Sequence, residues 1–216
     1  MILIIFAVAL NPFYAGNFTS LAEGATGIYE NPAGLGLTLA IEDELTFHRD
    51  SLVNGLLLKN IGLGLVKHDT LLGGEAGIGY RLPGAFAFGY AYQFGIKGNL
   101  PKTHIFGVSC RPSSELSLGF KTTIGKIKHL FGGGTVKPLG EYVFLNIDFE
   151  YEGMTDLFHF YWGGMIRLSD YINIYVHADD EFNWTAGMGL GYSKLRVAAS
   201  YSADDRQIGA GLILSE

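Results

Sequence analysis

The sequence predicts an all-β protein that forms a transmembrane antiparallel β-barrel, and three observations support this prediction. Apolar residues make up 48% of the chain and charged residues only 17%, against a usual charged share of about 25%. Most of the chain alternates bulky apolar residues with small or polar ones, which is the period of a β-strand. The charges within these alternating stretches fall on the small-residue face. This combination is typical of a barrel whose outer face meets lipid.

Composition also limits the other classes of protein. No internal run of about 18 apolar residues is present, so a membrane-spanning helix is not expected. The net charge of −6 at pH 7 argues against nucleic acid as a partner. The single cysteine, Cys110, excludes an internal disulfide.

The first 42 residues differ from the rest of the chain. The run MILIIFAVAL ends in small residues, and we interpret residues 1–9 as a partial signal peptide, with a buried first strand as the alternative. Residues 10–42 are rich in small residues and contain the motif NPAGL at 31–35. Asn31 before Pro32 favours a turn, and the small residues that follow permit close packing. We expect this segment to lead into the first strand.

From residue 43 to residue 216 the sequence predicts the barrel itself. The stretch GAFAFGYAYQFG, residues 84–95, places its aromatic residues on one parity and its alanines and most of its glycines on the other. Thirteen such alternating segments are found, broken by short turn clusters. They are 43–49, 51–58, 61–68, 74–82, 84–94, 103–111, 114–124, 141–151, 157–168, 171–178, 182–191, 194–202 and 206–214.

The number of strands follows from closure. Every backbone group must be paired in lipid, so the sheet must close, and bacterial single-chain barrels usually have an even number of strands. We therefore predict 14 strands, with a short strand missed within 125–140, and keep 12 strands as the alternative.

The strand charges predict which face meets lipid. Eight charged residues fall on the face that carries glycine and other small residues, whereas the bulky face carries essentially none away from the strand ends. Charge on a lipid-facing position costs roughly 2–4 kcal/mol at the midplane, so we expect the bulky face to point outward and the charges to point into the lumen. These predicted lumen-facing charges are Glu75, Arg81, Arg111, Lys121, Asp148, Glu150, Arg167 and Arg196.

No catalytic, metal or cofactor site is predicted. His177 with Asp179 and Asp180 is the best candidate for an enzyme site, but spacing alone does not bring the groups together and no serine has a nucleophile context. The six histidines show no metal-ligand spacing. We interpret the acidic turns at 179–181 and 204–205 as solvated turns, with a calcium site as the alternative.

Several stretches together resemble a known family. NPAGL at 31–35 is followed by AGIGYRLPGAFAFGYAYQF, and FGVSCRPSSELSLGFKTTIG, NIDFEYEG and WTAGMGLGYSKLRVAASYSADD come later in the chain. This order resembles the outer-membrane family of the long-chain fatty acid transporter FadL, in particular the branch with PorV-like proteins. The resemblance implies a 14-stranded barrel formed by residues 43–216, with residues 10–42 as an N-terminal plug or hatch in the lumen. Asn31, Pro32 and Ala33 match the hatch element of the family, and Gly34 and Leu35 complete the motif.

The resemblance also implies a location and a role. We expect the outer membrane of a Gram-negative-type bacterium, with passage of small hydrophobic compounds or an accessory role in surface protein export. Membrane lipid is one expected partner, and a hydrophobic small molecule or secretion-system proteins are others. A non-conducting structural or adhesive barrel is the alternative. The inward charges either line a polar path or form ion pairs that clamp the plug.

Overall fold

The protein folds as a closed barrel of 14 antiparallel strands, which confirms the predicted fold class and strand number. The computed structural model describes residues 19–20, 22, 24–48, 51–98, 100–125, 128–153, 155–203 and 206–215. Each strand pairs with its neighbours in the chain, and β1 pairs with β14 from Glu42 opposite Ser215 to His48 opposite Gly209. The signal-peptide prediction for residues 1–9 lies outside the described residues.

The strands have nearly the bounds that their alternation predicts. They are β1 (Ala40–His48), β2 (Ser51–Lys59), β3 (Ile61–His68), β4 (Leu71–Arg81), β5 (Phe86–Lys97), β6 (Thr103–Cys110), β7 (Leu116–Ile124), β8 (His129–Val136), β9 (Val143–Glu152), β10 (Leu157–Ser169), β11 (Ile172–Asp179), β12 (Trp184–Tyr192), β13 (Leu195–Ser202) and β14 (Gln207–Ser215).

Two differences from the predicted strands have physical reasons. The missing strand is β8, which lies within 125–140 as expected, and the 12-strand alternative is wrong. Its centre is the run Gly132–Gly133–Gly134, which has no side chains to show an alternation. The first strand begins at Ala40, whereas the alternation predicts residue 43. The prediction differs because Glu42, a buried inward residue, has the polar character of a turn residue in the sequence.

The two faces of the wall have the predicted composition. On the outward face the exposed fraction is 45% for Phe88, 46% for Trp162 and 61% for Ile147. On the inward face Ala87 and Ala91 are fully buried. Most large apolar side chains of the strands therefore point away from the barrel axis, the reverse of a water-soluble barrel.

We call the end of the barrel where β1 begins the near end and the other the far end. Pairs of outward aromatic side chains lie toward both ends of the barrel. Trp162 lies 6.3 Å from Phe182 and Trp184 lies 6.0 Å from Tyr201, by ring centroids, toward the far end, whereas Tyr171 and Tyr192 pair at the near end. Aromatic rings at two levels are typical of barrels whose ends lie at membrane interfaces.

Short helical turns precede the barrel. They are a 3₁₀ helix (Gly24–Thr26), an α-helical turn (Gly27–Glu30) and a second 3₁₀ helix (Pro32–Gly36). A further 3₁₀ helix, Gly140–Tyr142, joins β8 to β9. Among the described residues, no helix has the length and apolar character needed to cross a membrane.

Candidate functional site: the inner segment and the barrel interior

The described residues from Thr19 to Leu37 form what we call the inner segment. Its motif NPAGL folds as the 3₁₀ helix because Asn31 caps it, with the Asn31 Oδ1 accepting a hydrogen bond from the Ala33 N–H at 3.2 Å. Pro32 occupies the first helical position, where no backbone N–H is needed. The Gly34 N–H donates to the Asn31 carbonyl at 2.8 Å. The motif is therefore a compact turn.

This turn lies on a row of glycines in the barrel wall. Gly79, Gly89 and Gly107 are directly opposite one another across β4, β5 and β6. A Cβ on Gly89 would overlap the Pro32 backbone, and one on Gly107 would overlap the Asn31 side chain. The bare inward face of these strands thus lets the inner segment approach the wall at backbone distance.

Apolar side chains pack between the inner segment and the wall. Ile28 and Leu35 of the inner segment are fully buried. They form one cluster with wall residues of β2, β5 and β6, which are Leu57, Ala91 and Ile105. The interior of this part of the barrel is therefore largely apolar, although the neighbouring strands β1 and β4 carry the inward acids Glu44 and Glu75.

Buried hydrogen bonds tie the start of the inner segment to β9. The Asp148 Oδ2 accepts from the Thr19 N–H at 2.7 Å and from the Thr19 hydroxyl at 2.6 Å. Ser20 Oγ lies 2.7 Å from Thr135 Oγ1 on β8, and Thr135 donates to the Asn146 Oδ1 at 2.7 Å. Asp148 therefore holds the inner segment by two short hydrogen bonds.

Three further contacts fix the rest of the inner segment. The Asn31 Nδ2 donates to the carbonyls of Thr19, at 3.0 Å, and of Val108 on β6, at 3.2 Å. The Ala25 N–H donates to the Glu42 Oε2 on β1 at 3.0 Å. The inner segment is thus hydrogen-bonded to β1 and β6 as well as to β9.

Tyr29 joins the inner segment to β2 and β3. Its hydroxyl donates to the carbonyls of Asn54 and Leu65, and the ring occupies the space left by Gly55 and Gly64. Burial raises the pKa of Tyr29 well above its ordinary value, and the nearby carboxylates of Glu75 and Glu44 add to this. The hydroxyl therefore remains a donor.

Four of the predicted charges lie in the interior. Glu75 and Asp148 have exposed fractions of 3% and 4%. Lys121 interacts electrostatically with both and with Glu150, and its Nζ lies 4.2 Å above the Phe131 ring. This group of charges adjoins the inner segment.

Glu150, two residues after Asp148 on β9, also belongs to a chain of polar contacts that runs to β8 and β10. Its two oxygens lie 2.8 Å from the His129 Nδ1 and 3.0 Å from the donating Tyr161 hydroxyl. Tyr161 stacks on His177, with the ring centroids 5.8 Å apart.

The four predicted arginines form a separate group toward the near end. Arg196 Nη2 lies 3.7 Å from Glu42 Oε1, and Arg167 Nη1 lies 3.5 Å from Glu141 Oε2. Arg81 is exposed at the end of β4, and Arg111 follows the end of β6. The eight charges therefore do not form one site.

Sequence reasoning missed three buried acids. The alternation predicts a first strand from residue 43 and so misses Glu42, whereas Glu44 has the same inward parity on β1. Glu30 lies in the inner segment and interacts with Lys121. Of these three acids, only Glu44 is indicated by the sequence, because it has the opposite parity to the apolar residues Leu45 and Phe47.

The best enzyme candidates are neighbours, since Asp179 acts electrostatically on His177, but the contacts of Asp179 and Asp180 also go to other residues. The Asp180 Oδ2 lies 3.6 Å from the Nδ1 of His159, whereas His177 stacks on Tyr161. Asp179 accepts hydrogen bonds from the N–H groups of Glu181 and Asn183, both at 2.9 Å, which is a turn contact. No group of three or more His, Cys, Asp or Glu residues with metal-site geometry occurs in the described part of the chain. Asp204 and Asp205 lie outside it.

Replacing Asn31 with alanine is expected to loosen the inner segment. The change removes two donated hydrogen bonds and one accepted hydrogen bond, and a buried group left unpaired costs about 1–3 kcal/mol. Amide hydrogen exchange of residues 24–37 is expected to rise roughly 5- to 150-fold. Asn183→Ala, which removes a hydrogen bond to Asp179 in a far-end turn, is the matched control. Unchanged exchange in Asn31→Ala would show that this side chain does not hold the segment.

Comparison with known proteins places the chain at the level of the fold. No family model matches the sequence, and no curated protein matches it. The Pseudomonas putida toluene transporter TodX matches with a TM-score of 0.64 and 11% identity, covering 96% of this chain and 97% of that one. The chain shares the fold of an outer-membrane channel. A TodX deletion mutant, described as a monoaromatic hydrocarbon channel, matches with a TM-score of 0.62 and 10% identity, covering 94% and 95%.

A porin gives a weaker match to the same fold. A triple mutant of the Rhodopseudomonas blastica porin matches with a TM-score of 0.52 and 8% identity, covering 83% of this chain and 99% of that one. These neighbours are channels and porins. The resemblance to the FadL type therefore agrees with the fold, whereas family membership remains a prediction.

Proposed function

We propose that the barrel spans the outer membrane of a Gram-negative-type bacterium and passes small hydrophobic compounds, with the inner segment as a movable plug. The observation that carries this proposal is the apolar inward surface beneath the plug. Leu57, Ala91 and Ile105 point inward and are covered by Ile28 and Leu35. An apolar solute gains from contact with such a surface, whereas a hydrated ion or sugar loses water without replacement.

A second apolar group supports the same substrate class. Phe144, Met165 and Tyr175 form an inward cluster on β9, β10 and β11. The neighbour TodX is named as a toluene transporter, and its variant as a monoaromatic hydrocarbon channel. The apolar interior of this chain is chemically suited to solutes of that kind.

Passage requires the inner segment to move. The Asp148–Thr19 and Asn31–Val108 hydrogen bonds hold it against the wall. Because such bonds exchange with water at a modest net cost, they permit a closed state that opens reversibly.

A non-conducting structural barrel is the second candidate. It is favoured by the unbroken strand pairing around the wall and by the buried hydrogen bonds of the inner segment. An accessory role in protein export rests on the PorV-like resemblance alone. The barrel chemistry gives no support for catalysis, so we propose that the protein is not an enzyme.

A disulfide across Ser20 and Thr135 tests transport directly. The two hydroxyl oxygens are 2.7 Å apart, so Ser20→Cys with Thr135→Cys, in a Cys110→Ser background, is expected to form a bond that fixes the inner segment to β8. Gram-negative cells producing each variant are given the apolar dye N-phenylnaphthylamine, and its initial rate of entry is measured by fluorescence. The two single-cysteine variants in the same background are the controls.

Transport predicts a redox-dependent rate. The oxidised double variant is expected to admit the dye no faster than cells without the protein, and reduction is expected to restore the rate of the controls. Equal dye entry in all variants and in cells without the protein would refute passage and favour the non-conducting barrel.

A further inference from the structure

Two lysines lie in one outward row near the far end. Lys67 on β3 is directly opposite Leu72 on β4, and Leu72 is directly opposite Lys97 on β5. Opposed residues of an antiparallel pair point to the same face. Lys67 continues the outward series of Leu65, while Val66 between them is buried inside. All three members of the row therefore point outward.

A β-bulge brings Lys97 into this row. The register between β4 and β5 shifts so that Gly73 is opposite Gly95 but Leu72 is opposite Lys97. Ile96 is the extra residue. Without it, Lys97 would have the parity of the inward Gln93, and bulges commonly redirect a side chain in this way.

The surroundings of the row combine charge with aromatic rings. Lys102, just before β6, is also exposed. On the outward face of β5 and β6, the rings of Tyr92 and His104 are 5.1 Å apart and Tyr90 Oη lies 2.9 Å from His104 Nδ1. Amphipathic rings of this kind are typical of the headgroup level of a membrane.

Three of the described far-end cations stand in this arc, whereas Lys128 before β8 and Arg206 before β14 stand singly elsewhere on the rim. The described far-end residues after β9 and β11 carry only acidic charged groups. They are Asp156, Asp180 and Glu181, and the neighbouring strand ends add Glu152 and Asp179. Asp69, in the turn between β3 and β4, is an exposed acid within the arc, but the three lysines leave the arc net positive and complementary to an anion.

We propose that Lys67, Lys97 and Lys102 bind the phosphate headgroup of an anionic lipid in the surrounding leaflet. Strands are about 4.8 Å apart, so Lys67 and Lys97 stand roughly 10 Å apart on stems that can converge on one headgroup. The acyl chains lie along Leu65 and Ile96, which are exposed on the same side of the wall. This inference rests on the proposed membrane location but not on transport.

The test compares lipid retention by matched variants. The protein is first folded into phosphatidylcholine vesicles, then extracted and offered equal amounts of phosphatidylglycerol and phosphatidylcholine, and the bound lipids are counted by native mass spectrometry. Lys67→Gln with Lys97→Gln removes the row. Lys59→Gln with Lys194→Gln removes two exposed near-end lysines and is the charge-matched control.

The wild type is expected to retain phosphatidylglycerol preferentially. Each lysine of the row is expected to contribute about fivefold in affinity, and the loss should shrink in high salt. The near-end control and Lys67→Arg with Lys97→Arg should keep the preference. Equal retention by the wild type and the Gln pair, or an equal loss in the near-end control, would overturn the lipid site alone. Failure to fold into the vesicles would overturn the membrane proposal with it.

Discussion

Replacing Gly89 with alanine is expected to displace the inner segment while leaving the barrel folded. A Cβ at this position would overlap the Pro32 carbonyl carbon and lie against the Ala33 N–H. The clash is between backbone atoms, so no side-chain rotation relieves it, and overpacking of this kind costs about 1–3 kcal/mol. Hydrogen exchange of residues 24–37 should rise roughly 5- to 150-fold, whereas the heat-dependent gel shift of the barrel should not change.

The control for this change is Gly191→Ala. Gly191 is an inward glycine on β12, and a Cβ there would meet only the Arg196 side chain, at 3.4 Å. The inner segment does not contact it within this distance, so exchange of residues 24–37 should stay at the wild-type rate. If Gly89→Ala behaves like Gly191→Ala, the inner segment does not rest on the glycine row in solution.

The fold was largely readable from the sequence because a strand has a period of two. The alternation of Phe86 and Phe88 with Ala87 and Gly89 states both the element and the face, whichever strand it pairs with. Where side chains are missing the signal disappears, and β8 was therefore inferred from closure rather than from its own residues. Closure with an even number of strands predicts the count of 14 but does not determine the residues at which each strand begins and ends.

The interior contacts were not readable in the same way. Asp148 was predicted to point inward, but its partner Thr19 is 129 residues away. Which inward side chains meet depends on the strand tilt and stagger of the closed barrel, and a single sequence does not contain these quantities. The NPAGL motif predicts a local turn at Asn31. The contact of Asn31 with Val108 depends on where β6 lies in the folded barrel, which the motif does not specify.

Two kinds of contact, hydrogen bonds and apolar packing, hold the inner segment in the barrel interior. The directional hydrogen bonds that Asp148 and Glu42 accept fix the position of the inner segment, while Ile28 and Leu35 bury apolar area that carries no directional preference. Hydrogen bonds specify the closed state, and the apolar contact is the part that a hydrophobic solute can replace. The proposed passage therefore assigns different roles to the charged and the apolar residues of the same surface.

Replacing Ile147 with arginine is expected to lower the stability of the barrel in a bilayer by about 2–4 kcal/mol. Ile147 lies at the centre of β9, points outward and has an exposed fraction of 61%. In lipid, arginine at the midplane of a barrel costs about 2–4 kcal/mol, and the cost falls to about 0–1 kcal/mol near the interfaces. In water the same change of an exposed residue stays within about 0.5 kcal/mol, because no charge leaves solvent.

Comparing arginine at two depths on the outward face therefore distinguishes a face that meets lipid from one that meets water. Leu195→Arg, at the near end of β13, is the matched change on the same outward face. Urea unfolding in phosphatidylcholine vesicles should show the full loss for Ile147→Arg, almost none for Leu195→Arg, and none for Ile147→Leu. Equal and small effects of the two arginines would mean that the outward face meets water. The apolar exterior would then need another cover, and the proposed outer-membrane location, the passage of apolar solutes and the lipid site on Lys67 and Lys97 would all fail together.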